Sequence, residues 1–207
     1  LLAILAALNF MFPVPWWIYP IVLFLWFLVT LCGSFFIRWN YHFTSLHSNK
    51  SISKNQVSLT FDDGPNTEFT PRVLELLKQY NAKATFFLIG KNAEKHPELV
   101  QDILRQGHSI GNHTYSHTND FGFFGTSKVI SELERAKSVI ENISGFKMML
   151  YRPAFGVTNP SIQEAVQKLK VHSIGWNVRS LDTTNRSEEA ILKRITSKVS
   201  KGDIILL

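Results

Sequence analysis

Residues 57–65 read Val-Ser-Leu-Thr-Phe-Asp-Asp-Gly-Pro, an apolar β-rich run that ends in two adjacent carboxylates and a turn-forming pair. Neighbouring side chains on a strand point to opposite faces, so Asp62 and Asp63 share a site only where the strand ends and the backbone bends. Five more runs rich in β-formers follow, at 84–89, 108–113, 149–152, 171–176 and 203–207. They alternate with stretches of helical period at 71–80, 97–106, 127–143, 161–169 and 187–200. Regular strand and helix alternation predicts an α/β domain with a parallel sheet covered by helices. Asp62 and Asp63, His113 and His117, Arg152, and Asp182 each fall just after a strand run. Chemistry gathered at the C-terminal ends of successive strands favours a (β/α) barrel over an open sheet.

The polar residues group into three constellations. In the first, one carboxylate can bind a cation while its neighbour acts as a base, although Asp-Asp-Gly-Pro is equally a good turn sequence. In the second, His113 and His117 lie four apart, so both imidazoles reach one ion from a single helical turn. Two histidines plus a carboxylate from another strand end leave coordination positions open for water and substrate, and a water activated by the ion is the implied nucleophile. In the third, Arg152 leaves a strand into a loop stiffened by Pro153; beside carboxylates it holds one ionised, whereas the commoner fate of an Arg is a surface ion pair.

The segments TFDDGP (60–65), HTYSH (113–117) and RPAFG (152–156), in this order, resemble the polysaccharide deacetylases with a NodB-homology domain, also called carbohydrate esterase family 4. The resemblance covers about residues 55–207. It implies a distorted, incomplete (β/α) barrel, TIM-like but with about seven strands rather than eight. It also implies a metal-dependent hydrolase that removes N-acetyl groups from polymers containing N-acetylglucosamine, such as peptidoglycan, chitin-like chains or exopolysaccharide.

By the resemblance, Asp63, His113 and His117 hold a divalent metal, usually Zn2+ with Co2+ or Ni2+ as substitutes, and Asp62 is the catalytic base. Arg152 pairs with Asp62, and Thr114 supports the histidine loop. Pro153 and Phe155 form the oxyanion and substrate-binding loop, the backbone N–H of Phe155 serving where the family commonly has Tyr. The family's Asp-x-x-Asp-Trp motif is altered: Arg179 and Thr183 replace its ends, Asp182 keeps the second carboxylate, and Trp176 stands in for part of the pocket wall. The final Leu-x-His is not complete, since residues 202–207 resemble only the strand leading into it; C-terminal truncation is the expectation. Two other readings stand beside the hydrolase. One is a membrane-tethered sugar-binding module of the same fold that has lost catalysis. The other is a non-haem iron oxygenase, which the free Asp62 beside the ligand aspartate argues against.

The remaining sequence is divided between two solvents. Residues 1–37 carry no charged side chain. Residues 17–37 are long enough to cross a bilayer, with Trp16, Trp17 and Tyr19 at one end and Arg38, Trp39 and Tyr41 at the other, where interfacial anchors belong. A buried core helix is the competing reading. Residues 1–12 are also apolar and would be the remnant of an earlier span, with Pro13 and Pro15 turning a helical hairpin. The division expected is a membrane anchor over 1–43, a linker over 44–55 rich in Ser, Asn and Lys, and the deacetylase domain over 56–207. Arg38, Lys50 and Lys54 follow the span with no acidic residue before Asp62, which favours a cytoplasmic domain, whereas cell-envelope substrates favour the outside. The net charge of +6 suits anionic lipid; without a basic stripe interleaved with aromatics, nucleic acid is not an expected partner. Cys32, the single cysteine, excludes a disulfide within the chain and a cysteine metal site.

Overall fold

The computed structural model describes residues 2–184 and 187–207. Two helices, α1 (Leu2–Met11) and α2 (Ile18–Phe35), precede the sheet. Seven strands follow: β1 (Ser58–Gly64), β2 (Ala84–Leu88), β3 (Ser109–Asn112), β4 (Leu150–Tyr151), β5 (His172–Ser173), β6 (Val178–Arg179) and β7 (Ile204–Leu206). They form one sheet in the order β5-β4-β3-β2-β1-β7-β6, and every pairing is parallel. The sheet curls into a half-barrel, as expected of the incomplete (β/α) barrel. Parallel neighbours require crossovers, which α3 (Phe69–Gln79), α4 (Gly90–Lys95), α5 (Pro97–Arg105), α6 (Thr126–Ser144), α7 (Pro160–Leu169) and α8 (Glu188–Thr196) supply.

The helices are amphipathic and their apolar stripes make the core. Leu74 and Leu77 of α3, Val100 and Ile103 of α5 and Ile140 of α6 close over Phe86 and Leu88 of β2 in one cluster. A second cluster joins Val129 and Leu133 of α6 to Ile162 and Ala165 of α7 around the fully buried Tyr151. Burial of each large apolar side chain contributes about 1.5–3 kcal/mol. Two boundaries follow from local chemistry. Asn159 caps α7 by accepting the Ile162 N–H at 2.8 Å, with Pro160 in the first turn, and α6 stops at Gly145 in the left-handed region (φ 72°).

Two elements were not among the runs expected from sequence. Strand β6 is only two residues long, and its partner β7 lies some 25 residues ahead, so no local pattern marks it. Helix α4 has six residues, too few for a period to show.

Helix α2 has 18 residues, a mean hydropathy of 2.1 and little burial within the molecule. Its length of about 27 Å matches the ~30 Å hydrocarbon thickness of a bilayer. Part of the polar run 44–55, residues 45–50, lies against the sheet. Ser45 is buried and its Oγ meets Ser173 Oγ at 2.7 Å. The Leu46 N–H donates to Ser173 O at 2.9 Å, and the Gly175 N–H donates back to Leu46 O at 2.8 Å. Further on, the Asn49 N–H donates to Gly202 O at 2.7 Å and Lys50 pairs with the buried Asp203 carboxylate. Residues 45–50 thus run from the end of β5 to the start of β7.

Candidate active site

The register of β1 against β2 shifts between Phe61 and Gly64, a bulge that holds the two aspartates. Asp63 adopts φ 65°, left-handed for a non-glycine residue, and this is the bend that lets both adjacent carboxylates face one cavity. Positive φ recurs around that cavity, at Thr114 (66°), His117 (49°), Phe155 (57°) and Leu181 (60°). Such conformations cost of order 1–3 kcal/mol each and persist only where surrounding contacts impose them. For Thr114 those contacts are visible. Its N–H donates to Asn112 Oδ1 at 2.8 Å, its carbonyl accepts from the Gly90 N–H at 2.9 Å, and its Oγ1 accepts from the His117 N–H at 3.2 Å.

Asp63, His113 and His117 each place one ligand atom within 4.8 Å of the others. His113 Nε2 is 3.5 Å and His117 Nε2 is 3.3 Å from Asp63 Oδ1. His113 Nδ1 lies 2.9 Å from Arg152 O; a carbonyl only accepts, so Nδ1 carries the proton and Nε2 presents its lone pair to the cavity. His117 Nε2 is buried without a hydrogen-bond partner. Burial, and next the neighbouring His113, push the His117 pKa below its ordinary value, while Asp63 and Asp62 pull the other way. A neutral imidazole with an unpartnered inward nitrogen, beside a second lone pair and a carboxylate, is a donor set that fits a tetrahedral divalent ion with a position to spare.

Asp62 is held differently. Arg152, fully buried, donates from Nη1 to Asp62 Oδ1 at 2.7 Å and to Thr60 Oγ1 at 2.8 Å. Its Nε donates to Ile174 O at 3.1 Å and its Nη2 to Gly175 O at 2.9 Å. The guanidinium also lies over the Phe87 ring, 4.1 Å from its centroid. Burial pushes the Arg152 pKa down and the Asp62 carboxylate pushes back. The side chain of Asp62 is 14% exposed and that of Asp63 is 61%, so the first is fixed in the protein and the second reaches outward.

The cavity, about 280 Å³, is lined by Asp62, Asp63, His113, His117, Phe155, Trp176, Asp182 and the end of β7 at Leu206 and Leu207, among others. Phe155 stacks obliquely on His117 with centroids 4.6 Å apart. Trp176 lies against Gly156, where an added Cβ would stand 2.5 Å from the ring. Asp182 lines the cavity through the loop after β6, its Oδ1 accepting from Ser180 Oγ at 2.9 Å and the Thr183 N–H at 3.1 Å. Pro153 is not among the lining residues; it accepts the Gly156 N–H at 3.0 Å and so shapes the turn that presents Phe155.

Four supporting residues escaped the sequence reading. Thr60 bridges Arg152 to Ile205 O, its hydroxyl donating at 2.7 Å. Asn112 ties the histidine loop to α6 through Leu133 O at 2.9 Å. Glu132 accepts from the Ser116 N–H and hydroxyl, both at 2.8 Å, between the two histidines. Arg179, noted only as a departure, lines the cavity. Thr60 opens the TFDDGP segment and Asn112 adjoins the histidine segment, which was the available signal; Glu132 had none.

Comparison with known proteins agrees with this geometry. The polysaccharide deacetylase family profile matches residues 49–174. A peptidoglycan-N-acetylglucosamine deacetylase of Bacillus cereus is 36% identical over 154 residues, covering 74% of this chain and 56% of that protein. The chain therefore spans little more than half the length of that relative. Among solved structures, a peptidoglycan N-acetylglucosamine deacetylase in complex with an N-oxidanyl-benzamide superposes with a TM-score of 0.73 at 34% identity, over 79% of this chain and 75% of that one. A carbohydrate esterase family 4 pseudoenzyme from Bacillus anthracis does so with a TM-score of 0.73 at 25% identity, over 79% of this chain and 58% of that one.

Proposed function

Since the chain belongs to the polysaccharide deacetylase family, we propose that it is a metal-dependent amide hydrolase that removes acetyl groups from N-acetylglucosamine units of a cell-envelope polysaccharide, peptidoglycan first among them. The observation that carries the reading is the pairing of two unlike carboxylates at one bulge: Asp63 converging with His113 and His117, Asp62 clamped by a buried Arg152. Asp63, His113 and His117 would hold a divalent ion, zinc by the nature of the donors. Such an ion, when bound, polarises the acetamide carbonyl and lowers the pKa of water.

The chain's own groups account for the rest. Asp62, held in place by Arg152, takes a proton from the attacking water as its oxygen bonds to the carbonyl carbon. The Phe155 N–H donates to the developing oxyanion. The C–N bond then breaks, releasing acetate and leaving the sugar amine with the transferred proton. Asp182, which also lines the cavity, would orient groups at the leaving side. Trp176 walls the pocket for the acetyl methyl.

The test is acetate release from N-acetylglucosamine oligomers and from peptidoglycan by the full chain. Activity that stops with chelator and returns with zinc is expected, as is its loss in Asp63→Ala and His117→Ala; full activity in either variant overturns the metal assignment. A second reading is favoured by one feature, Arg179 lining the pocket where the family has a carboxylate: a sugar-binding module without catalysis. Glycan binding with no acetate released under any metal would establish it.

We also infer that α2 crosses the bilayer, because it is uncharged, exposed and of spanning length. For envelope substrates the domain then lies on the outer face. Flotation of the full chain with vesicles after alkaline carbonate washing tests this.

A further inference from the structure

The apolar helix ends in the active-site loops. Thr158, 3% exposed, donates its N–H to Ser34 O at 2.9 Å and its hydroxyl to Gly33 O at 3.3 Å. Those carbonyls lie in the last turn of α2 and have no partner within the helix, so the loop carrying Phe155 caps it. Tyr41 folds back onto Gly33, where an added Cβ would lie 2.7 Å from the Tyr41 Cβ, and its hydroxyl meets Thr30 Oγ1 at 3.0 Å. On the second loop, the buried Ile37 lies against Gly175, and Arg38 donates to Asn177 O at 3.4 Å, on either side of Trp176. Both walls of the pocket, 153–158 and 175–177, are fastened to residues 33–38.

This contact fixes a height. Thr158 is three positions on from Phe155, a Cα separation of at most about 11 Å. The pocket is therefore within roughly 20 Å of the last turn of α2. A flexible linker of a dozen residues would by itself add about 20 Å of mean reach and up to about 40 Å fully extended. Two exposed cations lie along this segment: Arg38, which reaches Asn177 O, and Arg179, two residues on from Asn177, which lines the pocket. Neither has a carboxylate within 4.0 Å among the described residues.

We propose that the protein takes its N-acetylated glycan at the membrane surface, from chains joined through phosphate to a lipid in the same bilayer, rather than from polymer distant from the membrane. The inference rests on α2 spanning the bilayer and on the pocket being the deacetylation site. The docked span end keeps the site near the headgroups, and Arg38 with Arg179 meets the linking phosphate between lipid and sugar.

The experiment uses the full chain reconstituted in phosphatidylcholine vesicles and follows acetate release from a soluble N-acetylglucosamine oligomer and from lipid-linked forms of it in the same vesicles. One form has a direct phosphodiester, one a hydrophilic spacer of about 10 nm after the phosphate, one a neutral ether. At equal surface density the direct phosphodiester is expected to react at least tenfold faster than the spaced form and severalfold faster than the ether. In Gly33→Leu, and independently in Tyr41→Ala, which release the span end from opposite sides, the preference over the spaced form should fall below about threefold while release from the soluble oligomer is retained. Equal rates for direct and spaced forms, with the soluble oligomer still hydrolysed, overturn this proposal alone. Equal rates for phosphodiester and ether overturn the role given to phosphate. No release from any substrate overturns the deacetylase reading, and this inference with it.

Discussion

Replacing Arg152 with Met tests the internal logic of the site most directly. The guanidinium is fully buried and makes four hydrogen bonds, to Asp62, Thr60 and the carbonyls of Ile174 and Gly175. Met keeps much of the volume but removes every donor. Asp62, 14% exposed, then becomes a carboxylate without a counter-ion, and two carbonyls at the Trp176 loop lose their partner. Breaking a buried pair from one side costs about 3–5 kcal/mol, because the remaining charge stays desolvated. For a domain of this size each kcal/mol lowers the melting temperature by roughly 2–4 °C, so a fall of about 6–20 °C is expected.

The double variant Arg152→Met, Asp62→Asn separates the charge from the packing. With no charge left to strand, it should recover a large part of the loss, giving a coupling of at least about 1 kcal/mol. Thermal unfolding of the full chain in detergent, followed by tryptophan fluorescence, measures all four corners of the cycle. If Arg152→Met melts within 2 °C of the parent, or the double variant is no more stable than the single one, the ion pair does not organise this site and the assignment of Asp62 as a held base loses its support.

Asn112→Leu removes the acceptor that holds Thr114 at positive φ and the donor that ties this loop to Leu133 O of α6; zinc affinity by calorimetry should fall about 10–100-fold, with the fold retained. Gly156→Ala places a Cβ against Trp176 in a backbone with φ +70°, which should cost about 1–3 kcal/mol and raise KM for N-acetylglucosamine oligomers more than it lowers kcat. At Asp203, burial alone would raise the pKa, but hydrogen bonds from Lys50, Asn177 and Ser200 outweigh it and hold the group at about 2. A carboxyl with a depressed folded pKa contributes stability that is complete above its unfolded value near 4 and vanishes as the pH falls through about 2. The difference in melting temperature between the parent and Asp203→Asn should therefore be full at pH 6 and shrink steadily between pH 4 and pH 2.

How much of this was legible in the sequence follows from where each interaction keeps its partner. Asp62 and Asp63 are adjacent and His113 and His117 four apart, and they do converge, but the histidines do not sit on the helical turn expected: residues 113–117 form a loop with Thr114 and His117 at positive φ, so the spacing implied the partners and not the geometry. The long apolar-periodic helices α3, α5, α6 and α7 were legible from their period. The bend at Asp62 and Asp63 was expected, but the positive φ of Thr114 and Phe155 was not legible, because nothing local favours αL for Thr or Phe, whereas Asp63 and His117 are residue types that enter it more readily. Tertiary hydrogen bonds impose it, as Asn112 does on Thr114. Strand β6 was invisible because its two residues pair only with β7.

The polar run 44–55 shows the limit of composition. Ser, Asn and Lys mark a solvated linker when their hydrogen bonds go to water, but Ser45 and Lys50 spend theirs on Ser173 and Asp203, more than 120 residues away. The end of α2 repeats the pattern. A helix that ends at Phe35 with Phe36, neither charged nor glycine, as its C-cap leaves its last carbonyls to be satisfied from elsewhere, and Thr158, 125 residues on from Gly33, satisfies those of Gly33 and Ser34. A helix end with unmet carbonyls is therefore a sequence-level signal that some distant donor is required. The donor here belongs to the loop that carries Phe155, so the same two hydrogen bonds that finish the apolar helix also set where the pocket stands above it.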